Sequence, residues 1–444
     1  MNIALVAMSG IRVCDEDLLR LGLTLPGFVE RSKAIASLPS LGLLTLAGAT
    51  PDTHHVDYIE VDQIDGADPT LASYDLVAIS TFTAQALEAY ALADRIRQAG
   101  GRVVIGGPHV TVLPDEASQH ADAVVLGDGE AAWPDLLADA EAGCLEPRYG
   151  DARGRFDLAE SPMPAFELLD IDRYNRLTVQ TSRGCPFRCE FCAGSILFSP
   201  KYRQKPVERV LAEIDRIRDL WRRPFIEFAD DNGLVNRAYW RRLLPELAGR
   251  RIKWFTETDV SIADDPEFLD LLASSGCAEV LVGLESPIEA GLPGLERRAD
   301  WKHKRWETNL DAVQCIQAHG IRVNGCFIVG LDGQTPAVFD DIHDFALEAG
   351  LFDVQITLPT PFPGTPFYHR LKAAGRLTHD GQWGRCTLFD LNFVPTPMSS
   401  EELVAGFHDL ARRLYSDEYT AMRRGRFAEA ARRRRPAAAL EGGR

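Results

Sequence analysis

The sequence predicts an α/β protein built from two successive arrays of parallel strands and a helical appendix. Three observations lead there. Short apolar runs alternate with amphipathic stretches from residue 1 to about 150, a second array of the same kind covers roughly 179–379, and residues 380–444 are dominated by helix formers. With 444 residues, 45% hydrophobic and 25% charged, the chain has material for two or three buried cores and lacks the composition of a disordered protein.

In the first array NIALVAM, HHVDYIEVD, DLVAIST, RVVIGG and DAVVLGDGE read as strands, while LPSLGLLTLAGAT and AQALEAYALADRIRQAGG carry apolar residues at helical spacing. A doubly wound sheet over residues 1–150 follows. The turns STFT, GGPHV and GDGE fall at carboxyl ends of strands, where open α/β sheets bind ligands, although Gly106, Gly107, Gly127 and Gly129 are also what tight turns require. Residues 151–178, with ESPMPAFELLDIDRY, have no sustained period and read as a linker. LTVQTSRGC, PFIEFADDN, KWFTETD, EVLVGLES, VNGCFIVGL and DVQITLPT then read as six strands separated by helices such as PVERVLAEIDRIRDLW, which predicts a partial TIM-type barrel of six βα units over 179–379. The segment 380–444 is expected to form a helical cap ending in a basic tail, RRRRPAAALEGGR, whose charges need no role beyond solvation.

Lys and Arg number 48 against 65 Asp and Glu, a formal charge of −17, which argues against nucleic acid or an anionic membrane as partner. No apolar run reaches the ~20 residues of a membrane span, and the start MNIALVAMSG lacks a basic leader, so the cytoplasm is the expected compartment. Nine cysteines do not make a disulfide framework. Three of them, Cys185, Cys189 and Cys192, stand in TSRGCPFRCEFCAG directly after a strand. Such a loop can turn three thiolates toward one point. A structural zinc would need a fourth ligand, and no second close pair of cysteines occurs, so an iron–sulfur cluster with one open iron suits the spacing better.

This loop, CxxxCxxC with the aromatic Phe191 before the last cysteine, resembles the signature of the radical S-adenosylmethionine enzymes. The resemblance covers roughly residues 175–375. It implies a 4Fe-4S cluster on Cys185, Cys189 and Cys192, with S-adenosylmethionine chelating the open iron, and a reductant such as flavodoxin or ferredoxin. FADDNG, with Asp230, Asp231 and Asn232, matches the place where that family binds the methionine amino group. GLES, with Glu285 and Ser286, stands where ribose contacts are usual, and FIVGLDG, with Ile328 and Gly330, looks like the adenine-packing segment. Helix capping by one of the two aspartates is an equal alternative to a ligand role.

The amino-terminal array in turn resembles the Rossmann-like B12-binding domain found in a subgroup of these enzymes, which makes cobalamin a candidate cofactor. The DxHxxG motif of other cobalamin proteins is absent, and the same domain persists in members without the cofactor, so occupancy stays open. His109 is at a strand-end loop, where a lone histidine is usually a capping residue.

Two reactions compete for the downstream step. Glu257 and Asp259, two apart on one strand, would point to one face and could bind ammonium groups, with Tyr202 and His303 as further proton-handling candidates. The two-domain layout also resembles the aminoglycoside diol-dehydrating radical enzymes, which implies radical dehydration or deoxygenation of a hydroxylated, amine-bearing small molecule, as in antibiotic biosynthesis; the acidic pair supports this, although it could also meet arginines at the barrel rim. The alternative is a cobalamin-dependent C-methyltransferase, which subgroup membership favours. A non-catalytic iron–sulfur or cobalamin sensor is a third reading, opposed by the near-complete set of strand-end motifs.

Overall fold

The computed structural model describes residues 1–8, 13–20, 38–61, 64, 69–152, 156–194, 197 and 201–434. Its first sheet contains β1 (Asn2–Met8), β2 (His55–Val61), β3 (Leu76–Ser80), β4 (Val103–Gly106), β5 (Ala123–Gly127) and β6 (Arg148–Asp151). The strands are all parallel and lie in the order β2-β1-β3-β4-β5-β6. β1 is buried from Ile3 to Met8 because helices cover both sides of the sheet, which is why it reads as an unbroken apolar run rather than an alternating one. Leu43, Trp133 and Leu136 pack one face, Ala89, Tyr90 and Val110 the other. The order of strands reverses between β1 and β3, so the ligand crevice of this domain lies beyond their carboxyl ends.

The second sheet is an open arc of six parallel strands. β7 (Leu177–Val179) is followed by the short antiparallel pair β8 (Ser182–Arg183) and β9 (Arg203–Gln204), which brackets the cysteine loop. Then come β10 (Phe225–Phe228), β11 (Lys253–Thr258), β12 (Cys277–Glu285), β13 (Arg322–Ile328) and β14 (Asp353–Thr357), arranged as β14-β13-β12-β11-β10-β7. Strand phase separates two environments. Phe228 and Trp254 face outward, where their rings meet Trp240 of the helix Arg237–Arg250 at 5.2 and 5.6 Å, and this aromatic group anchors the outer core. Glu227, Phe255 and Glu257 point the other way, into the lumen.

The last helix, Asp417–Arg434, closes the amino-terminal end of this barrel. The fully buried Arg423 guanidinium donates to the carbonyls of Leu351 and Phe352 at 2.7 and 3.0 Å, and Arg424 pairs with Asp353 at 2.8 Å. The opposite rim, where all six strands end, is left to carry chemistry.

Three local readings differ from the structure. β6 was not expected, since RYGD buries only Tyr149 and has no apolar run. Residues 156–176 are not a free linker but a strap of short 3-10 turns with Leu158 and Phe166 in the core. The Ala165 amide donates to the Leu44 carbonyl at 2.9 Å, and the strap passes so close to Gly48 that a Cβ there would lie 1.8 Å from the Met163 carbonyl oxygen. Residues 380–398 are mostly irregular, and the helices of the cap begin at Ser400, after a capping box formed by Ser399 and Glu402. The end of the basic tail, from 435 on, lies outside the described residues. No described helix is long and apolar enough to cross a membrane.

Candidate active site around the cysteine loop

Three carboxylates hold the cysteine loop on the rim of the barrel. Asp230, fully buried at the end of β10, accepts the amides of Thr181 and Ser182 at 2.8 Å each and the Thr181 hydroxyl. Burial pushes its carboxyl up to about 6 against the pull of those bonds. Asp231 accepts the Gly184 amide at 2.8 Å and stays open to the lumen. From the other side Glu296, 1% exposed, accepts the amides of Arg188, Arg298, Ala299 and Trp301 at 2.8, 3.0, 2.6 and 3.3 Å. Burial alone would raise the Glu296 pKa, but these N–H bonds outweigh it and hold the carboxyl below its ordinary range. Phe187 stacks on Trp301 at 5.2 Å, so the loop is clamped along its length.

Held this way, the three thiols lie near enough to act on one another's charge. Burial pushes Cys185 up to about 11, with Cys192 and Asp231 adding to the shift, and Cys189 is raised further by burial, Glu285, Cys192 and Cys185. Lys302 is the cation that opposes this crowding at Cys189; its Nζ pairs with Glu285 at 2.8 Å and donates to the Gly283 carbonyl at 2.6 Å. Three soft donors on one clamped loop, with no further cysteine acting on Cys185 or Cys189, are the donor set of an iron–sulfur cluster with an open iron. Binding would replace thiol protons by metal charge and relieve the mutual repulsion.

Glu285 sits in the left-handed region with φ 62°, an uncommon conformation for a residue with a side chain. Room for its pair with Lys302 exists because position 283 is glycine: a Cβ there would lie 2.6 Å from Glu285 Oε1 and 3.0 Å from Lys302 Nζ. Beside the loop, Phe191 packs against Ile328, Leu292, Leu295 and Leu331. A cavity of about 600 Å³ opens there, walled by Phe191, Gly291, Leu295, Leu331 and Phe367, a volume and lining suited to a nucleoside-sized ligand.

Other expected site residues have different places. Asn232 lies beside Cys185, and its Nδ2 donates to Asp259 at 2.8 Å. Asp259 also caps the turn Val260–Asp264 through the Ser261 amide, so its carboxylate is engaged rather than offered to a substrate. Ser286 is fully buried and belongs to a clip in which Gln334 donates to Ser286 Oγ and the Ile328 carbonyl and accepts the Gly330 and Leu331 amides. A Cβ on Gly330 would lie 2.7 Å from Leu403 of the cap, so that glycine serves packing. Tyr202 is half-buried beside Ser182, and burial pushes its enclosed hydroxyl up to about 12. His303 is not brought to the site: its ring nitrogens meet Glu289 at 2.7 Å and Asp300 at 3.0 Å on the surface, because its helix turns Lys302 inward instead. Lys302, Glu296 and Gln334 are therefore the residues that sequence reasoning missed. Lys302 stands one position from His303 in WKHKR, and only the phase of that turn separates them.

The first domain meets this loop through its GDGE turn. Asp128 pairs with Arg183 at 2.7 Å and with Arg203 at 2.7 Å, and Glu130 pairs with Arg183 as well. The strand-end rim of the first sheet is thus fastened to the β8–β9 pair that brackets the cysteines. Arg183→Met is expected to leave two nearly buried carboxylates short of a partner and cost roughly 2–3 kcal/mol, read as a lower urea midpoint and faster proteolysis in the 156–176 strap. On that rim Phe82 is 57% exposed and Leu87 47%, apolar groups suited to the edge of a large planar cofactor. His109 is fully buried, bonded to Thr83 at 3.3 Å and Glu116 at 3.2 Å, and burial lowers its pKa; it is a core residue and not a ligand. The crevice therefore suits a corrinoid held without a histidine from this turn.

Comparison with known proteins agrees with this geometry. Residues 179–346 match the radical SAM superfamily, residues 32–137 the B12 binding domain, and residues 365–441 a domain of unknown function, DUF4070. An uncharacterized methyltransferase of Synechocystis is 31% identical over 84% of this chain and 70% of its own length. The bacteriochlorophyllide d C-12(1)-methyltransferase of Chlorobaculum tepidum is 27% identical over 85% of this chain and 83% of its own. The hopanoid C-2 methylase of Rhodopseudomonas palustris is 28% identical over 86% and 72%. Among solved structures, the radical S-adenosylmethionine methyltransferase TsrM from Kitasatospora setae superposes with a TM-score of 0.68 over 99% of both chains at 16% identity, a likeness of fold.

Proposed function

The chain belongs to the radical S-adenosylmethionine superfamily, in the group that carries a B12-binding domain, and from that premise we propose that it is a cobalamin-dependent C-methyltransferase acting on a small molecule. The observation that carries the reading is the joint of Asp128 and Glu130 with Arg183 and Arg203, which directs the strand ends of the B12-binding domain at the cysteine loop. Relatives aligned across both domains bear methyltransferase or methylase names, which supports methyl transfer over the dehydration expected from the acidic strand β11.

Cys185, Cys189 and Cys192 would hold the 4Fe-4S cluster. Phe191, Ile328 and Leu331 would pack the adenosyl group of S-adenosylmethionine, and the Lys302–Glu285 pair and Asp231, which act on the thiols, would meet its charged end. Phe82 and Leu87 would border the corrin. Bound together, these groups supply an electron, a methyl donor and a methyl carrier. The protein's own part is to keep the three sites in register and water out, by clamping the cysteine loop with Asp230, Asp231 and Glu296 and sealing the barrel floor with Arg423 and Arg424.

Anaerobic purification from cells supplied with cobalamin, followed by reduction with S-adenosylmethionine carrying a deuterated methyl group, tests this reading. The expected result is stoichiometric cobalamin that acquires the deuterated methyl. A fully loaded cluster with no cobalamin would return the enzyme to dehydration or another hydrogen-abstraction reaction.

A further inference from the structure

We propose that the barrel lumen beneath the cysteine loop takes an amine of the substrate, in a subsite formed by Glu257 with Asn324 and Gln355. The inference deepens the methyltransferase reading by naming a substrate class, a donor-rich small molecule bearing a protonated amine.

Strand register brings these side chains together from positions far apart in sequence. Glu257 pairs with Leu281, Leu281 with Asn324, and Asn324 with Asp353, so β11 to β14 contribute one layer of the lumen. Gln355 stands opposite Cys326, two residues and about 6.6 Å nearer the rim, in the layer that includes Gly283. Leu281 keeps the wall apolar between Glu257 and Asn324, and the space over Gly283 is taken by the Glu285–Lys302 pair.

The polar atoms are acceptors in want of a donor. Asn324 is 1% exposed and Gln355 8%, and neither Asn324 Oδ1 nor Gln355 Oε1 has a hydrogen-bond partner among the described residues. A buried acceptor left unmatched costs roughly 1–3 kcal/mol, so a ligand that donates to it gains by the same measure. Glu257, the exposed lumen-facing position of β11, adds a carboxyl that an ammonium beside it would hold in the ionised form. Cations around this layer are committed elsewhere: Arg176 to Glu227, Arg424 to Asp353, Lys302 to Glu285, and Arg322 to the Phe352 ring and the field of Glu279. The charged groups that act on Glu257 are the carboxylates of Glu227, Asp231 and Asp230, which together with burial push its own carboxyl up to about 8. A carboxylate- or phosphate-headed ligand would be repelled by this set. An ammonium carries three donors and the opposite charge, and its bonds to a carboxylate and two amide oxygens are charge-assisted or geometrically ordinary ones.

The test measures binding to the full-length holoprotein, first without and then with saturating S-adenosylmethionine, by ligand-observed NMR, with putrescine as the probe and butanediol and succinate as its neutral and anionic counterparts. Iron, sulfide and cobalamin contents verify that each variant is folded and loaded. Putrescine is expected to bind at least about tenfold more tightly than either counterpart, Glu257→Gln to weaken it by about tenfold or more, and Gln355→Leu to weaken it by a smaller factor. The proposal is overturned by absence of putrescine binding, by equal binding of butanediol, by an unchanged affinity in Glu257→Gln, or by displacement of putrescine when S-adenosylmethionine is added, which would assign Glu257 to the cofactor pocket. Because binding requires no turnover, a failure of methyl transfer to cobalamin and a failure of amine recognition are read separately.

Discussion

Replacing Cys189 with alanine is expected to abolish the iron–sulfur cluster and all consumption of S-adenosylmethionine, a loss of at least about a thousandfold in turnover. Cys189 is the most enclosed of the three loop cysteines, and its main chain is fixed by a bridge to Glu296 and by the Cys192 amide donating to its carbonyl at 3.1 Å. The loop's conformation therefore does not depend on the thiol. Cys189→Ala should fold, with the apoprotein's unfolding free energy within about 1 kcal/mol of the parent, while iron and sulfide per chain fall to background. Retained iron together with product formation at the parent rate would remove the cysteine loop from the active site. Loss of folding in place of loss of iron would make the three cysteines a structural element.

Glu296→Ala is expected to have the largest effect among residues that touch neither metal nor substrate. Four amides lose their shared acceptor in a buried position, at a cost of roughly 3–5 kcal/mol after partial relaxation. The cysteine loop should loosen with it, so iron is retained poorly even when the variant is reconstituted at low temperature. Urea unfolding of the apoprotein and iron content report the two consequences independently. The pH dependence has a definite sign. The folded-state pKa of Glu296 is depressed, so its contribution is present above the unfolded value of ~4.3 and is lost as pH falls through the lower folded value. The acid limb of apoprotein stability should accordingly be shallower in Glu296→Gln, whose amide does not titrate. An unaltered acid limb and full iron retention in both variants would reduce Glu296 to an ordinary turn residue.

The two variants also separate contributions that the site combines. Cys189→Ala removes a ligand from an intact loop, whereas Glu296→Ala disorders a loop whose ligands are all present. A chain in which both lost iron to the same degree but only Glu296→Ala lost stability would fit the clamp described above. The Arg183→Met variant adds the remaining component, since it loosens the first domain's grip on the β8–β9 pair while leaving the cysteines and Glu296 in place.

By itself the amino-acid sequence determined the fold class and the cysteine loop. Apolar runs at strand length survive as strands because both faces of a parallel sheet are buried, and β1, β3 and β12 lie where NIALVAM, DLVAIST and EVLVGLES place them. The loop is legible because its three donors lie within eight residues of one another and need only a local turn to converge. The surrounding chemistry is not local. The sequence offers Asp230 to the methionine amino group and Asp259 to a substrate ammonium; in the structure Asp230 accepts two backbone amides and Asp259 the Ser261 amide and the Asn232 side chain, since a buried carboxylate at a strand end takes the nearest N–H groups. His303 and Lys302 exchange roles on the phase of one helical turn. The lumen layer of Glu257, Leu281 and Asn324 depends on the register of three strands, and the joint of Asp128 with Arg183 joins turns 55 residues apart. Spacing encodes what a single turn can assemble, whereas burial, strand register and domain docking decide which of many similar polar residues face the same empty space, and those are properties of the packed chain alone.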